Sequence, residues 1–171
     1  VVGIAREAGT SPATFYQYFT DVDAAVAELA GDMAADGATR LGGLLEGTRW
    51  SGEDAETSVR MLVTGFLDFW DANRPLMRVI DLKAAEGEGR IRSTRKDLLA
   101  GFSNGLAECV QRKSLPDAPA NPWAMASVAV TMLVNVAIQR EIFAASEIPD
   151  EDMIDAVARL LLAAVTGTTT G

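Results

Sequence analysis

Histidine does not occur in this chain, and cysteine occurs once. The first absence removes the side chain most used as a general base near neutral pH and the commonest nitrogen ligand for metals. The second excludes a disulfide within the chain. Positive charge is scarce too: 15 Lys and Arg stand against 24 Asp and Glu, a formal net charge of −9, which argues against coating nucleic acid through bulk charge. Runs of alternating β-branched residues bounded by turns are missing, so no strand is expected. The most apolar stretch is interrupted by Ser127, Thr131 and Asn135, so neither a membrane span nor a membrane partner is expected. No start with a charged then apolar pattern suggests export, and the expected location is the cytoplasm. No nucleophile–base pair and no cluster of metal ligands emerges, so the expectation is a non-enzyme with no catalytic residue, no metal and no cofactor.

What is present is helical periodicity. The 171 residues, 49% of them hydrophobic, suffice for one domain, or one domain plus a small module, with a real core. A short helix is expected over Val2 to Ala8, ending at Gly9, and a second from Pro12 to about Tyr18 with Ser11 as its cap. Asp21 caps a longer helix whose stripe is Val22, Val26, Leu29, Met33, Leu41 and Leu44, interrupted near Gly37. Another runs from about Asp54 through Val59, Leu62, Val63, Phe66, Phe69 and Trp70 to the break at Asn73-Arg74-Pro75. Pro75 opens a short helix to about Ala85, and after Gly87–Gly89 comes one with Ile91, Leu98, Phe102, Leu106 and Cys109. SLPDAPANP reads as a loop. WAMASVAVTMLVNVAIQREIF is apolar nearly all round and should be buried on more than one side. Pro149 and Asp150 open the last helix, and the tail TGTTTG should fray. The fold class is all-α.

The stretch TSPATFYQYF crowds Phe15, Tyr16, Tyr18 and Phe19 into five residues. Phe15 and Phe19 share a helix face, whereas the tyrosines lie off it. The two short helices fit a helix-turn-helix, with Ala5 small at the crossing, Gly9 in the turn, and Ile4, Ala8 and Phe15 between the helices. Thr10, Ser11, Ala13, Thr14, Tyr16 and Tyr18 are then the candidate DNA-contacting residues, their hydroxyls and rings reaching phosphates and bases.

IAREAG, TSPATFYQYF and the acidic cap that follows resemble the tetracycline-repressor (TetR) family of bacterial one-component transcription regulators. The match is residue by residue only in this first part, and in layout over the rest. It implies a TetR-like fold, a helix-turn-helix DNA-binding part followed by a helical ligand-binding and dimerisation bundle. Residues 1–47 would hold the reader and linking helix, and 48–171 the ligand-binding and dimerisation part. Implied partners are double-stranded operator DNA, a lipophilic small molecule, and a second copy docked through the last two helices, where Leu161 is expected to face the twin and Val157 either the twin or the subunit's own core. There are two departures. The family places a further helix before IAREAG, expected to be missing from the chain as given. It also often has a lysine where this chain has Val22 between Asp21 and Asp23, and Arg6 is the only basic residue before Arg40.

In the second part, Phe66, Phe69, Trp70, Met77, Phe102, Trp123 and Met132 supply aromatic and thioether surface from several helices. They are the candidate walls of an apolar pocket. Ser127, Thr131, Asn135 and Gln139 recur every four residues as a polar ridge; Asn135 is the candidate polar anchor for a ligand. Arg90, Arg92, Arg95 and Lys96 read as a solvated face, and Cys109 as core. The rival reading is a dimeric helical carrier or sensor of an apolar small molecule that no longer binds DNA.

Overall fold

The computed structural model of the chain describes residues 1–87, 89–113 and 121–167, and every regular element among them is an α-helix. Among the described residues, three helices begin at a side chain that accepts a free N–H: Ser11, Asp21 and Asn121. After α1 (Val2–Glu7), Gly9 takes a left-handed φ of 64° and the Thr10 N–H reaches back to the Ala5 carbonyl at 2.8 Å. α2 (Pro12–Tyr18) begins where Ser11 Oγ accepts from the Thr14 N–H at 3.1 Å, with Pro12 in the first position. Asp21 opens α3 (Val22–Gly47) by accepting from the Ala24 N–H at 2.7 Å. Asn73 alone separates α4 (Ala55–Ala72) from α5 (Arg74–Ala85). α6 (Gly89–Lys113), α7 (Pro122–Ala145) and α8 (Asp150–Thr166) follow, with Asn121 capping α7 and Gly167 ending α8 at a φ of 70°. The tail and the SLPDAPANP loop lie largely outside the described residues, as do the side chains of the run Arg90, Arg92, Arg95 and Lys96.

α3 packs on α4, α5 and α6; α4 also meets α7 and α8, and α6 meets α7. The core between them is continuous, with Leu62, Phe66, Leu67, Ile80, Leu106, Leu133 and Leu161 fully buried. Along α3 the buried stripe is Val26, Ala30, Met33, Gly37, Leu41 and Leu45. This corrects the expected stripe: Leu29 is 55% exposed, and the helix passes through Gly37 unbroken with that residue inside the buried stripe. Two glycines admit leucines of α3. A Cβ on Gly65 would sit 2.4 Å from Leu44 Cδ1, and one on Gly105 would sit 2.9 Å from Leu45 Cδ1.

α7 departs from expectation. It buries Ala126, Ala129, Val130, Leu133, Val134 and Ala137, yet Trp123, Val128, Ile138 and Ile142 stay exposed. One side faces the bundle, and a second apolar side is uncovered in the single chain. By length and mean hydropathy α7 would also suffice to cross a membrane, contrary to the expectation from its polar ridge, but it packs on α4, α6 and α8 as a bundle helix.

Candidate functional site

The helical hairpin turns its aromatics in two directions. Phe15 is buried against α1 beside Ala5, 5.4 Å from the Phe19 ring centroid, and meets Tyr16 edge-on at 5.7 Å. Tyr16 and Tyr18 are 58% and 77% exposed. Thr10, Ser11 and Ala13 are exposed and Thr14 half-buried, and the Ser11 and Thr14 hydroxyls share a hydrogen bond of 2.9 Å. The six DNA-contact candidates thus lie together on and just before α2. The expected inter-helix core is smaller than the sequence suggested: Ile4 and Ala8 are exposed, because α1 meets only α2 and that single contact covers Ala5.

Charge at the start of α3 is not left bare. Lys83, near the end of α5, lies 3.0 Å from Asp23 and 3.3 Å from Glu86. The hydrogen bond to Asp23, then that to Glu86, raises the Lys83 pKa. The contact ties α5 to α3 one turn after the hairpin ends.

The ligand candidates divide. Phe66, Phe69, Trp70, Met77 and Phe102 are buried; Phe66 stacks on Trp70 at 6.3 Å and meets Phe102 at 5.2 Å. Trp70 and Met77 border a small cavity of about 80 Å³ with Arg74, Arg78, Asp81 and Ile138. Met132 is half-buried and belongs elsewhere, to an open groove of about 540 Å³ between α7 and α8 with Met125, Val128, Leu160 and Ala164. Trp123 is 46% exposed at the start of α7. Asn135 is exposed rather than interior, and its amide donates to the Thr131 carbonyl at 3.0 Å. Thr131 in turn donates to the Ser127 carbonyl at 2.8 Å, so the ridge bonds back to its own helix. Asn135 is not placed to anchor a molecule inside the bundle.

Two features escaped the sequence reading. One is Trp50, 97% buried in the α3–α4 connection, whose indole N–H has no acceptor among the described residues. A single large aromatic inside the polar stretch TRWSGEDAE was its only signal. The other is a charge network in which Arg140 binds Asp71 of α4 and Asp150 of α8, while Arg74 binds Asp71 at 2.6 Å and also Glu141. The hydrogen bond to Asp150 raises the Arg140 pKa, and the same bond lowers that of Asp150. Spacing alone gives no hint of partners so distant in sequence.

A helix-turn-helix exposing its second helix, joined by one 26-residue helix to an all-α bundle, defines the class of helical transcription regulators. The family model for the tetracyclin repressor-like C-terminal domain matches residues 41–170, and the chain therefore belongs to the TetR family. Comparison with curated proteins gives no match, and neither does comparison with solved structures.

Proposed function

We propose that this TetR-family chain is a ligand-responsive DNA-binding regulator of the cytoplasm, a repressor that a lipophilic small molecule releases from its operator. It is not an enzyme. Residues 1–47 carry the reader and its linking helix, and residues 48–171 the ligand-binding and dimerisation part. The observation that carries the reading is the exposure of Tyr16 and Tyr18 on a helix that packs on α1 and buries its other aromatic, Phe15. Thr10, Ser11, Ala13, Thr14, Tyr16 and Tyr18 then contact a major groove, and two-fold pairing through α7 and α8 sets two readers about 34–36 Å apart or a multiple of that.

The buried aromatic cluster around Phe66, with Phe69, Trp70, Met77 and Phe102, is the lining most suited to an apolar effector, Met132 and Trp123 lying outside it. To release DNA, the effector must bind the two states differently, so it has to displace an element coupled to the readers. The Lys83–Asp23 contact supports α5 as that element.

Selection from random duplexes tests the reading. A palindromic site should emerge. Tyr16→Ala should weaken binding about tenfold, and Val22→Lys should tighten it with a steeper salt dependence. Failure to prefer any sequence over random DNA, with Tyr16→Ala without effect, leaves the rival: a dimeric carrier or sensor that does not bind DNA. The acidic pair Asp21 and Asp23 around Val22 is the observation favouring that rival.

A further inference from the structure

The uncovered face of α7 carries its exposed residues in an order that reads alike from either end. We infer that this face packs antiparallel on the same face of a second copy, with Asn135 of each copy hydrogen-bonded to the partner's Thr131, and that this polar pair fixes the register. Direction and register refine the two-fold pairing through α7 and α8 proposed above, and rest on it.

Ala124, Val128, Thr131, Asn135, Ile138 and Ile142 are all exposed and follow one another at alternating spacings of four and three, the seam of a helix that packs along its length on another. No Asp, Glu, Lys or Arg occurs from Pro122 to Gln139, so two copies that each carry −9 can meet here without charge against charge. Leu133 marks the centre. Thr131 and Asn135 lie two residues to either side of it, Val128 and Ile138 five, and Ala124 and Ile142 nine. Antiparallel helices set the two kinds of seam position against each other. With the two-fold axis at the level of Leu133, Asn135 meets the partner's Thr131, Val128 the partner's Ile138, and Ala124 the partner's Ile142. Polar meets polar and apolar meets apolar.

The polar pair has the groups to bond. Asn135 uses one amide N–H on the Thr131 carbonyl of its own helix at 3.0 Å, and Thr131 uses its hydroxyl proton on the Ser127 carbonyl at 2.8 Å. What remains is complementary: a second amide N–H on Asn135 and acceptor lone pairs on the Thr131 hydroxyl oxygen. A slip of one heptad would set the amide against the partner's Ile138 or Ala124 and leave it unsatisfied in an apolar seam. Direction follows from size. The open α7–α8 groove lies beside the first half of α7, where Ala124, Val128 and Leu160 line it. Antiparallel pairing brings the partner's Ile142 onto small Ala124 at that groove, whereas parallel pairing would set alanine on alanine and leave the groove open. Helix poles agree, since antiparallel neighbours place each positive end beside a negative one. A solvated ridge that only bonds back to its own helix would account for Thr131 and Asn135, yet not for Val128, Ile138 and Ile142 in the same uncharged seam.

Introduced cysteines read the register on the whole chain. Val128→Cys combined with Ile138→Cys should give a covalent dimer under a mild oxidant, whereas wild type, whose Cys109 is buried, should not. Val128→Cys alone should not cross-link either, because its two copies would lie about 15 Å apart along the helices, beyond the reach of a disulfide. Asn135→Leu makes the seam apolar throughout. It should keep the dimer in light scattering, at equal or greater stability, while the cross-linked fraction of Val128→Cys alone rises several-fold as other registers and the parallel direction become populated. Thr131→Val should act in the same sense. A monomeric wild type overturns the pairing and the register together. A dimer in which Val128→Cys with Ile138→Cys fails to cross-link overturns the register and leaves the pairing standing. Cross-linking that Asn135→Leu leaves unchanged overturns the role of the polar pair.

Discussion

The N-terminal hairpin and the bundle use their apolar residues in opposite ways. Between them α1 and α2 bury two side chains, Ala5 and Phe15, and neither belongs to the continuous core that runs from Val26 to Val165. The hairpin leaves Tyr16 and Tyr18 in solvent, where a partner can reach them, while the bundle encloses nearly every aromatic it has. Two buried residues cannot offset the ordering entropy of twenty. The hairpin must therefore draw its order from its covalent join to α3 and from the caps at Ser11 and Asp21, and it should open locally well below the free energy of global unfolding.

The largest effect expected is the one that separates the two regions. Phe66→Ala removes a ring that stacks on Trp70 and touches Phe102, at a site with no room to collapse, and should cost about 3–5 kcal/mol of global stability in urea melts. Phe15→Ala should leave the global midpoint nearly unchanged and instead speed amide exchange across α1 and α2. Equal losses of midpoint would mean that hairpin and bundle unfold as one unit, and the comparison would fail.

An intermediate effect tests the uncovered side of the bundle. Leu161, expected to face a second copy, is buried within the subunit's own core, as is Val157, one of the two placements expected for it; Leu160 is 58% exposed and Val128 is 71% exposed, both on the α7–α8 groove. Leu160→Arg or Val128→Arg should weaken dimerisation by about 2 kcal/mol or more, seen as monomer mass in light scattering, while helix content stays native. Leu161→Arg should unfold the chain instead. Retained dimers in both surface variants would assign the groove to something other than self-association.

Helix starts were legible because capping is local: Ser11 with Pro12 and Asp21 each act within one turn, and the structure places them as their chemistry requires. Facing was less legible. On α7 apolar residues surround the axis, so periodicity could not tell which side the bundle takes, and Trp123 and Asn135 fell outside. On α3 the choice between Leu29 and Ala30 depended on how close the neighbouring helices come, a tertiary matter that glycines at 65 and 105 help decide. Trp50 was missed for the same reason. Its burial comes from α3 and α6 closing over a connection that reads as polar.

The smallest effect concerns what lies outside the core. Asp150, in the first turn of α8, accepts from Arg140, which also holds Asp71 of α4, so one guanidinium joins three helices. That hydrogen bond holds the Asp150 carboxyl below the ordinary carboxylate range, and desolvation opposes it. A depressed pKa in the folded state means that the contribution is complete above the unfolded value, about 3.9, and disappears as pH falls through the folded one. The side chain is half exposed, so screening keeps the effect modest and salt-sensitive. The stability of wild type over Asp150→Asn should hold steady from neutral pH to about pH 5 and shrink toward zero below about pH 4. Among the described residues no ion pair involves residues 1–21, so amide exchange in α1 and α2, corrected for its intrinsic pH dependence, should not follow that loss. If wild type and Asp150→Asn lose stability in parallel across the acid range, the Arg140–Asp150 bridge contributes nothing to the stability of the bundle.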